Sequence, residues 1–446
     1  MLHTTRIGWW LVGLAIVAGL IALVVFSPRY ADPERMVKRM QAQVAQIRGL
    51  KFKHDVVVLE QSPEEFKKST ASRLRQLSLP ENEPVLRTLG LLASDETLDA
   101  DALSKRLDSN SAAGEYDPYS GRLLIATKPG QLQRGGTLDD IYARELHRAL
   151  LDQHFDLKTY LERRQQGGSL NSDEWLARQM LVEGETFYFT VLREVKLKLG
   201  RIPDYLPLED AFARTLDTDE LVDAISDPRL PQSEGLPREQ ERKPGSLPRF
   251  LTQLTKGVRK DALLFVHDVR LRGWDDVDRL YTTSPPVSTE QILHPEKWSR
   301  NERPVTIEWP AFETNATFAD WELLQQDVLG ELMLRAVFRV HHLSPMMGSS
   351  PAGWNGDRFA VFKRRDSGDM LLLLYTVWDS ESDAKAFAGS YGYVVKAKYA
   401  DAPQPVRIVA DGRRVVIVEG GDEASLDALM TFAQSAQETA DIAVEK

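Results

Sequence analysis

Two arginines flank a glutamate at the place in this sequence where residue types and spacing come closest to metal chemistry. Arg144, Glu145 and Arg148 occupy the frame H-E-x-x-H. In that frame two histidines one helical turn apart hold a zinc ion, and the glutamate activates a water molecule. A guanidinium stays protonated and has no lone pair to give to a metal. The sequence therefore predicts no catalytic residue, no metal site and no cofactor here.

The residues around this frame resemble a known family. Residues 144–157 are similar to a bacterial family of membrane-associated zinc-metallopeptidase-like proteins with the pattern H-E-L-T-H-A-L-x-D-Q-H-F-D-L. That family continues to a second helix bearing E-G-E, which is Glu183-Gly184-Glu185 here. The resemblance implies a glutamate-type zincin fold with Glu183 at the third ligand position. It does not imply catalysis, because two ligand positions are arginine, so Arg144, Glu145, Arg148 and Glu183 are predicted to form a vestigial site. Shorter similar stretches lie at residues 116–118, 288–297, 353–358 and 376–380.

Two histidines near the frame do not restore a metal site. His147 and His154 lie seven residues apart, which is roughly 10 Å along a helix, so one zinc ion with bonds of about 2 Å cannot reach both. On a helical wheel both fall opposite the apolar stripe of the helix. We therefore predict that both face solvent. The stripe comprises Ile141, Tyr142, Leu146, Ala149 and Leu150.

The arginines allow two structural interpretations. They can belong to an exposed ladder with Asp140 and Asp152, in which acidic and basic residues recur every four positions and each pair contributes about 0.2–0.5 kcal/mol. Alternatively, Glu183 pairs with Arg144 or Arg148 and joins the two long helices where the metal would have been. We expect Glu183 within ion-pair distance of one of them.

Composition and charge limit the class of protein. The chain has 446 residues, a formal net charge of -10 and no cysteine. The negative charge argues against nucleic-acid binding, and the lack of cysteine excludes disulfides and lipid attachment through cysteine. A protein or peptide partner is expected instead.

The N-terminus predicts a membrane anchor. Residues 7–26 are all apolar or glycine, a length of 20 residues that can cross a hydrocarbon core of about 30 Å. A cleaved signal peptide is the alternative. The basic residues that follow the segment favour a cytoplasmic body, whereas the anchor position and the family resemblance favour a periplasmic one. We expect a single-pass protein of the bacterial inner membrane with a periplasmic body.

The predicted fold class is α+β, in three parts. Residues 1–30 form the transmembrane anchor, residues 31–300 a mainly helical zincin-like domain, and residues 301–446 a smaller α+β domain with an antiparallel sheet. The two long helices of the vestigial site are predicted at 138–154 and 172–199.

The structure of the C-terminal part is predicted from its turn residues. Two hairpins are predicted around Asp366-Ser367-Gly368 and Asp411-Gly412, in a sheet covered on one face. Residues 319–341 are predicted to be one long helix. Asp357, Arg358 and Asp379 are interpreted as turn and ion-pair residues.

These features predict a membrane-anchored, metallopeptidase-like protein without activity that acts as a binding or scaffold module in the bacterial envelope. Its cleft would hold an extended peptide at a sheet edge. Two alternatives stay open: an active hydrolase with relocated ligands or with Glu145 as general base, and a structural subunit of a larger assembly. His294 is either a structural hydrogen-bonding residue or one that faced an ancestral substrate.

Overall fold

The computed structural model describes residues 33–62, 65, 83–97, 114–126, 138–165, 168–208, 248–312, 318–341 and 350–440. The helices of these ranges are α1 (Pro33–Arg48), α2 (Glu83–Thr88), α3 (Leu138–Phe155), α4 (Leu157–Tyr160), α5 (Ser172–Leu199), α6 (Arg249–Arg270), α7 (Trp274–Arg279), α8 (Thr289–Leu293), α9 (Pro295–Ser299), α10 (Gly330–Val340), α11 (Glu381–Lys398) and α12 (Glu423–Ala433). The strands are β1 (Val57–Gln61), β2 (Gly114–Asp117), β3 (Arg122–Ala126), β4 (Arg164–Gln165), β5 (Gly168–Ser169), β6 (Thr306–Glu308), β7 (Trp321–Asp327), β8 (Trp354–Arg364), β9 (Met370–Trp378), β10 (Val406–Asp411), β11 (Arg414–Gly420) and β12 (Gln437–Thr439).

The predicted transmembrane segment, residues 7–26, lies outside the described ranges. Within them, no helix is both long and apolar enough to cross a membrane. The longest one, α5 with 28 residues, carries charged side chains from Asp173 to Lys198. The prediction of a fold with a transmembrane helix, and of a single-pass inner-membrane protein, is therefore contradicted, and the architecture that the structure supports is α+β with an antiparallel sheet.

The two long helices form where their sequence pattern places them. The predicted apolar stripe of α3 is buried, from Ile141 to Leu150. Helix α5 begins after Asn171, whose side chain accepts a hydrogen bond from the amide of Glu174, and it ends at Gly200 with a φ of 73°. Together with α1 and α6, these helices enclose one apolar core.

A small three-stranded sheet lies beside α3. Strand β3 is central, with β1 parallel and β2 antiparallel to it. The β2–β3 hairpin turns at Gly121, where φ is 66°. This hairpin holds Tyr116 and Asp117 of the first short family-like stretch against α3.

The larger sheet has the strand order β10-β11-β9-β8-β7, with every neighbouring pair antiparallel. Both hairpins form at the predicted turns, with positive φ at Gly368 and Gly412. The prediction of cover on one face is wrong. Leu372 and Leu374 of β9 pack towards α10 and α11, whereas Leu371 and Leu373 pack towards α12. The continuous apolar run of β9 is typical of a strand buried on both faces.

One predicted helix is a strand followed by a helix. Residues 321–327 form β7, paired with β8, and α10 begins only at Gly330, whose φ is 78°. The division at residues 300 and 301 stays a prediction. Side chains from the predicted helical part, Val85, Leu91 and Phe250, pack in the same apolar core as α10 and α11.

Candidate functional site: the α3–α5 charge cluster

Arg148 of α3 and Glu183 of α5 form an ion pair between the two long helices. The distance from Arg148 Nη2 to Glu183 Oε1 is 2.5 Å, and the two side chains are 23% and 34% exposed. Burial favours the neutral acid, but Arg148 holds the pKa of Glu183 below its usual value. The expected ion-pair distance is therefore confirmed for Arg148, and the inter-helix pair is the interpretation that the geometry supports.

Glu145 is buried and held by two donors. Its Oε2 accepts a hydrogen bond from the backbone amide of Tyr116 at 3.0 Å, and its Oε1 accepts one from Arg144 Nε at 2.9 Å. The side chain is only 3% exposed. A general base needs a free lone pair within reach of the proton that it removes. The contact with Tyr116 fastens Glu145 of α3 to strand β2, and the two donors together fix the direction of the carboxylate.

The acidic residues of the predicted ladder have other partners. Asp140 pairs with Arg193 of α5. Asp152 accepts hydrogen bonds from the hydroxyl of Tyr116 at 2.7 Å and from the amide of Leu157 at 2.8 Å. Both acids therefore contact residues outside α3 rather than Arg144 and Arg148 on the same helix.

The prediction that His147 faces solvent is wrong. The residue is fully buried and stacks on Phe189, with the ring centroids 4.5 Å apart. Burial lowers the pKa of His147. The helical wheel showed one apolar stripe, whereas Phe189 and Glu185 of α5 contact α3 at His147, outside that stripe. His154 is partly exposed, and its Nε2 contacts the carbonyl oxygen of Lys51 at 2.8 Å.

A buried charge cluster next to His147 was not predicted from the sequence. Arg48, the last residue of α1, places Nε 2.5 Å from Glu185 Oε1 and Nη2 2.5 Å from Asp278 Oδ1. The ring of Trp274 lies 4.3 Å from its guanidinium carbon. Burial opposes the charge of Glu185, but Arg48 lowers the pKa of that carboxyl to about 2. Glu185 of E-G-E was the available sign of this cluster in the sequence. Its partner Arg48 lies 137 residues away, so no local pattern connects the two.

The glycine of E-G-E allows two helices to touch. A Cβ atom at Gly184 would lie 2.5 Å from the backbone carbonyl of Ala262 in α6. Real Cβ atoms do not approach a backbone so closely, so only glycine fits this crossing. All three residues of Glu183-Gly184-Glu185 therefore have a packing or pairing role.

Residues 288–292, the first half of the similar stretch at 288–297, are buried. Ser288 caps the N-terminus of α8, where its hydroxyl accepts a hydrogen bond from the amide of Gln291. His294 Nε2 lies 3.1 Å from the buried Glu331. Hydrogen bonding to Glu331 raises the pKa of His294. This contact favours the structural interpretation of His294.

The predicted turn and ion-pair residues differ among themselves. Asp379 does pair with Lys297, at 2.6 Å, and Arg358 donates to the carbonyl oxygen of Ile307. Asp357 is buried instead and accepts from the amides of Leu329 and Gly330 at the start of α10.

The donor set does not fit zinc. Arg144 and Arg148 offer no lone pair, and Glu145 and Glu183 are both engaged with arginines. Over the described ranges, no group of three or more histidine and carboxylate side chains is placed to hold a metal ion.

Comparison with known proteins gives one match. Residues 321–430 match the model of a domain of unknown function (DUF8575). The matched segment runs from the first residue of β7 into α12, so it coincides with the five-stranded sheet and its three helices. It covers about a quarter of the chain and does not include the α3–α5 cluster. No curated protein and no solved structure matches the chain.

Proposed function

We propose that this chain is a metallopeptidase-like protein without catalytic activity that acts as a binding or scaffold module. The observation that carries the proposal is the Arg148–Glu183 pair, 2.5 Å long, between the two helices that the metal would have joined. An arginine–carboxylate pair is directional and strong when partly withdrawn from water. It gives the helices a permanent link that needs no metal.

The position of Glu145 supports the same proposal. Its two oxygens each accept one hydrogen bond, from Tyr116 and from Arg144, and these two donors stabilise the carboxylate and so weaken it as a base. A residue used in this way stabilises the α3–β2 contact. A binding or scaffold role needs that rigid surface and no open coordination position.

The proposed partner is a protein or peptide. Arg144 and Arg148 are each 23% exposed next to strand β2. Arginine side chains that are partly exposed beside a strand can bind the carbonyl and carboxylate groups of an extended peptide.

The metal test measures the zinc content of three full-length proteins: the unmodified chain, the double variant Arg144→His with Arg148→His, and the control double variant Arg272→His with Arg279→His. The control arginines lie in an exposed part of the chain around α7. We expect near-stoichiometric zinc only in the first double variant, because its histidines stand one turn apart with Glu183 as third ligand. Zinc in the unmodified chain at that level would overturn the proposal.

The activity test compares the unmodified chain with Glu145→Gln on a mixture of fluorogenic peptides. We expect any background hydrolysis to be the same in the unmodified chain and in Glu145→Gln. Hydrolysis by the unmodified chain that is lost in Glu145→Gln would show a working base and overturn the proposal.

The binding test selects peptides from a display library on the full chain and measures them again on Arg144→Ala and Arg272→Ala. We expect the first variant to weaken binding and the second to leave it unchanged. Equal binding to both variants would place the binding surface elsewhere.

A further inference from the structure

A cavity of about 550 Å³ lies between α6, α8 and α9. Its size is within the usual range for ligand pockets. It shares no lining residue with the α3–α5 cluster, so its occupancy does not depend on the proposed function.

The inner wall of the cavity is apolar. Leu264 and Phe265 of α6 face Ile292 and Leu293 of α8 across it. Phe265 and Ile292 are themselves buried, so they are fixed parts of the core rather than loose surface residues. A hydrocarbon chain can lose water against such a wall.

The rim of the cavity is acidic. Asp261 and Asp268 of α6 and Glu296 of α9 line it, with Arg300 as the basic residue. Asp268 lies 3.9 Å from Arg272. Asp261 and Glu296 still outnumber Arg300 in the lining, so the lining is negative, and the whole chain carries a net charge of -10. A cation is therefore the complementary occupant.

Asp261 is the acid that most needs a partner. It is mostly buried, lines the cavity, and makes no hydrogen bond or ion pair with any described residue. Burial raises the pKa of its carboxyl, although Arg335, Lys260 and Arg339 act against this from a distance. A carboxylate that is partly withdrawn from water and has no direct partner favours a cation beside it.

The kind of cation follows from the two walls. Among the described residues no side-chain group is arranged to hold a metal ion, so an organic cation fits better. Lysine and arginine combine an aliphatic stem with a charged end, and they bury the stem along apolar surface while the charge remains at a polar rim. The cavity is large enough for such a side chain together with the peptide that carries it.

We infer that this cavity binds a lysine or arginine side chain of a protein partner, with the stem against Leu264, Phe265 and Ile292 and the charged end beside Asp261.

The test measures binding of labelled, end-blocked pentapeptides to the full chain by fluorescence polarisation. The peptides contain four alanines around a central lysine, arginine or norleucine. Norleucine keeps the aliphatic stem and removes the charge. We expect the lysine or arginine peptide to bind at least about tenfold more tightly than the norleucine peptide. Equal affinities, or no binding by either basic peptide, would overturn the inference.

Two variants locate the site. Asp261→Asn should weaken binding of the basic peptide at least about tenfold, whereas the control Asp275→Asn should leave it unchanged. Asp275 is an exposed acid of α7 outside the cavity. Equal binding to both variants would contradict the assignment.

A measurement on the unmodified chain locates the site even if a variant folds poorly. Titration with the basic peptide should shift the methyl NMR signals of Leu264 and Ile292 first. Shifts confined to another region would overturn the inference, and so would free spermidine that binds as tightly as the peptide. The zinc and hydrolysis measurements on the α3–α5 cluster do not involve this cavity, so failure here and failure of the proposed function are distinguishable.

Discussion

The helical region around α3 and α5 and the five-stranded sheet are held together by different interactions. In the helical region, the helices share an apolar core to which charged pairs are added, from Arg148–Glu183 at the partly exposed side to Arg48–Glu185 in the interior. In the sheet, strand β9 contributes an apolar run from Met370 to Tyr375 that packs on both faces. The two regions should therefore respond differently to substitution.

Charged pairs specify geometry more strictly than apolar contacts do. An apolar core tolerates a new side chain of similar volume. A buried ion pair does not tolerate the loss of one partner, because the remaining charge has no water to solvate it. The helical region should therefore be the more sensitive to single changes, and the sheet the more sensitive to changes of volume.

The largest effect is expected for Arg48→Met. It leaves Glu185, which is fully buried, without its cation and should lower the free energy of unfolding by about 3–5 kcal/mol. The control Arg39→Met lies on the same helix, in an exposed pair with Asp139 whose side chains are 62% and 35% exposed, and should cost about 0–1 kcal/mol. Urea denaturation measures both.

A second substitution sharpens this comparison. Adding Glu185→Leu to Arg48→Met removes the uncompensated charge and should recover most of the lost stability. If Arg48→Met costs no more than Arg39→Met, the buried pair does not stabilise the helical region and the comparison fails.

The next effect concerns the sheet. Leu373→Ala removes a fully buried side chain between β9 and α12, and should cost about 2–5 kcal/mol because a cavity remains. Leu373→Met keeps the volume and should cost less than about 1.5 kcal/mol. Thermal and urea unfolding distinguish the two. Equal losses would mean that this core depends on exact shape, as the charged pairs do.

The two regions also differ in how far the sequence predicted them. Helices at 138–154 and 172–199 agree with α3 and α5 to within one residue, because their apolar periodicity and flanking Asn171 and Gly200 act locally. The Arg148–Glu183 contact followed from one resemblance. The Arg48–Glu185 contact could not be predicted, because it joins residues far apart in the chain and no local pattern pairs them.

Errors in the sheet region have a related cause. Residues 321–327 contain leucine, glutamate and glutamine, which favour helices. They form an edge strand because pairing with β8 supplies their backbone hydrogen bonds. Asp357 looked like a turn residue, but its carboxylate accepts from two amides at the start of α10, a partner that only the folded chain provides.

A titration tests the contact between the sheet and residues 83–97. His341, at the end of α10, contacts the carbonyl oxygen of Gly90 through Nε2 at 3.0 Å, and burial lowers the pKa of His341 to about 4. An unfolded histidine titrates near 6.5. Between these values the unfolded chain binds a proton that the folded chain does not, so this group lowers stability as the pH falls.

The expected loss from pH 7 to pH 4 is on the order of 3 kcal/mol for this group alone. Replacing His341 with glutamine, which does not titrate, should remove it. Urea denaturation of the unmodified chain and of His341→Gln across this range measures the difference. Parallel stability profiles for the two proteins would show that His341 is not shielded in this contact.

The smallest effects come from two helical glycines, one in each region. Gly184→Ala places a methyl group against the backbone of Ala262 and should cost about 1–3 kcal/mol, because α5 and α6 must move apart. Gly389 of α11 is exposed, and nothing lies within 4 Å of a Cβ atom there. Gly389→Ala should therefore stabilise the protein by about 0.5–1 kcal/mol, because alanine loses less backbone entropy in a helix. The two changes insert the same methyl group and should shift the thermal unfolding midpoint in opposite directions. A shift of the same sign in both would show that the close helix crossing at Gly184 is not what sets the tolerance of the helical region.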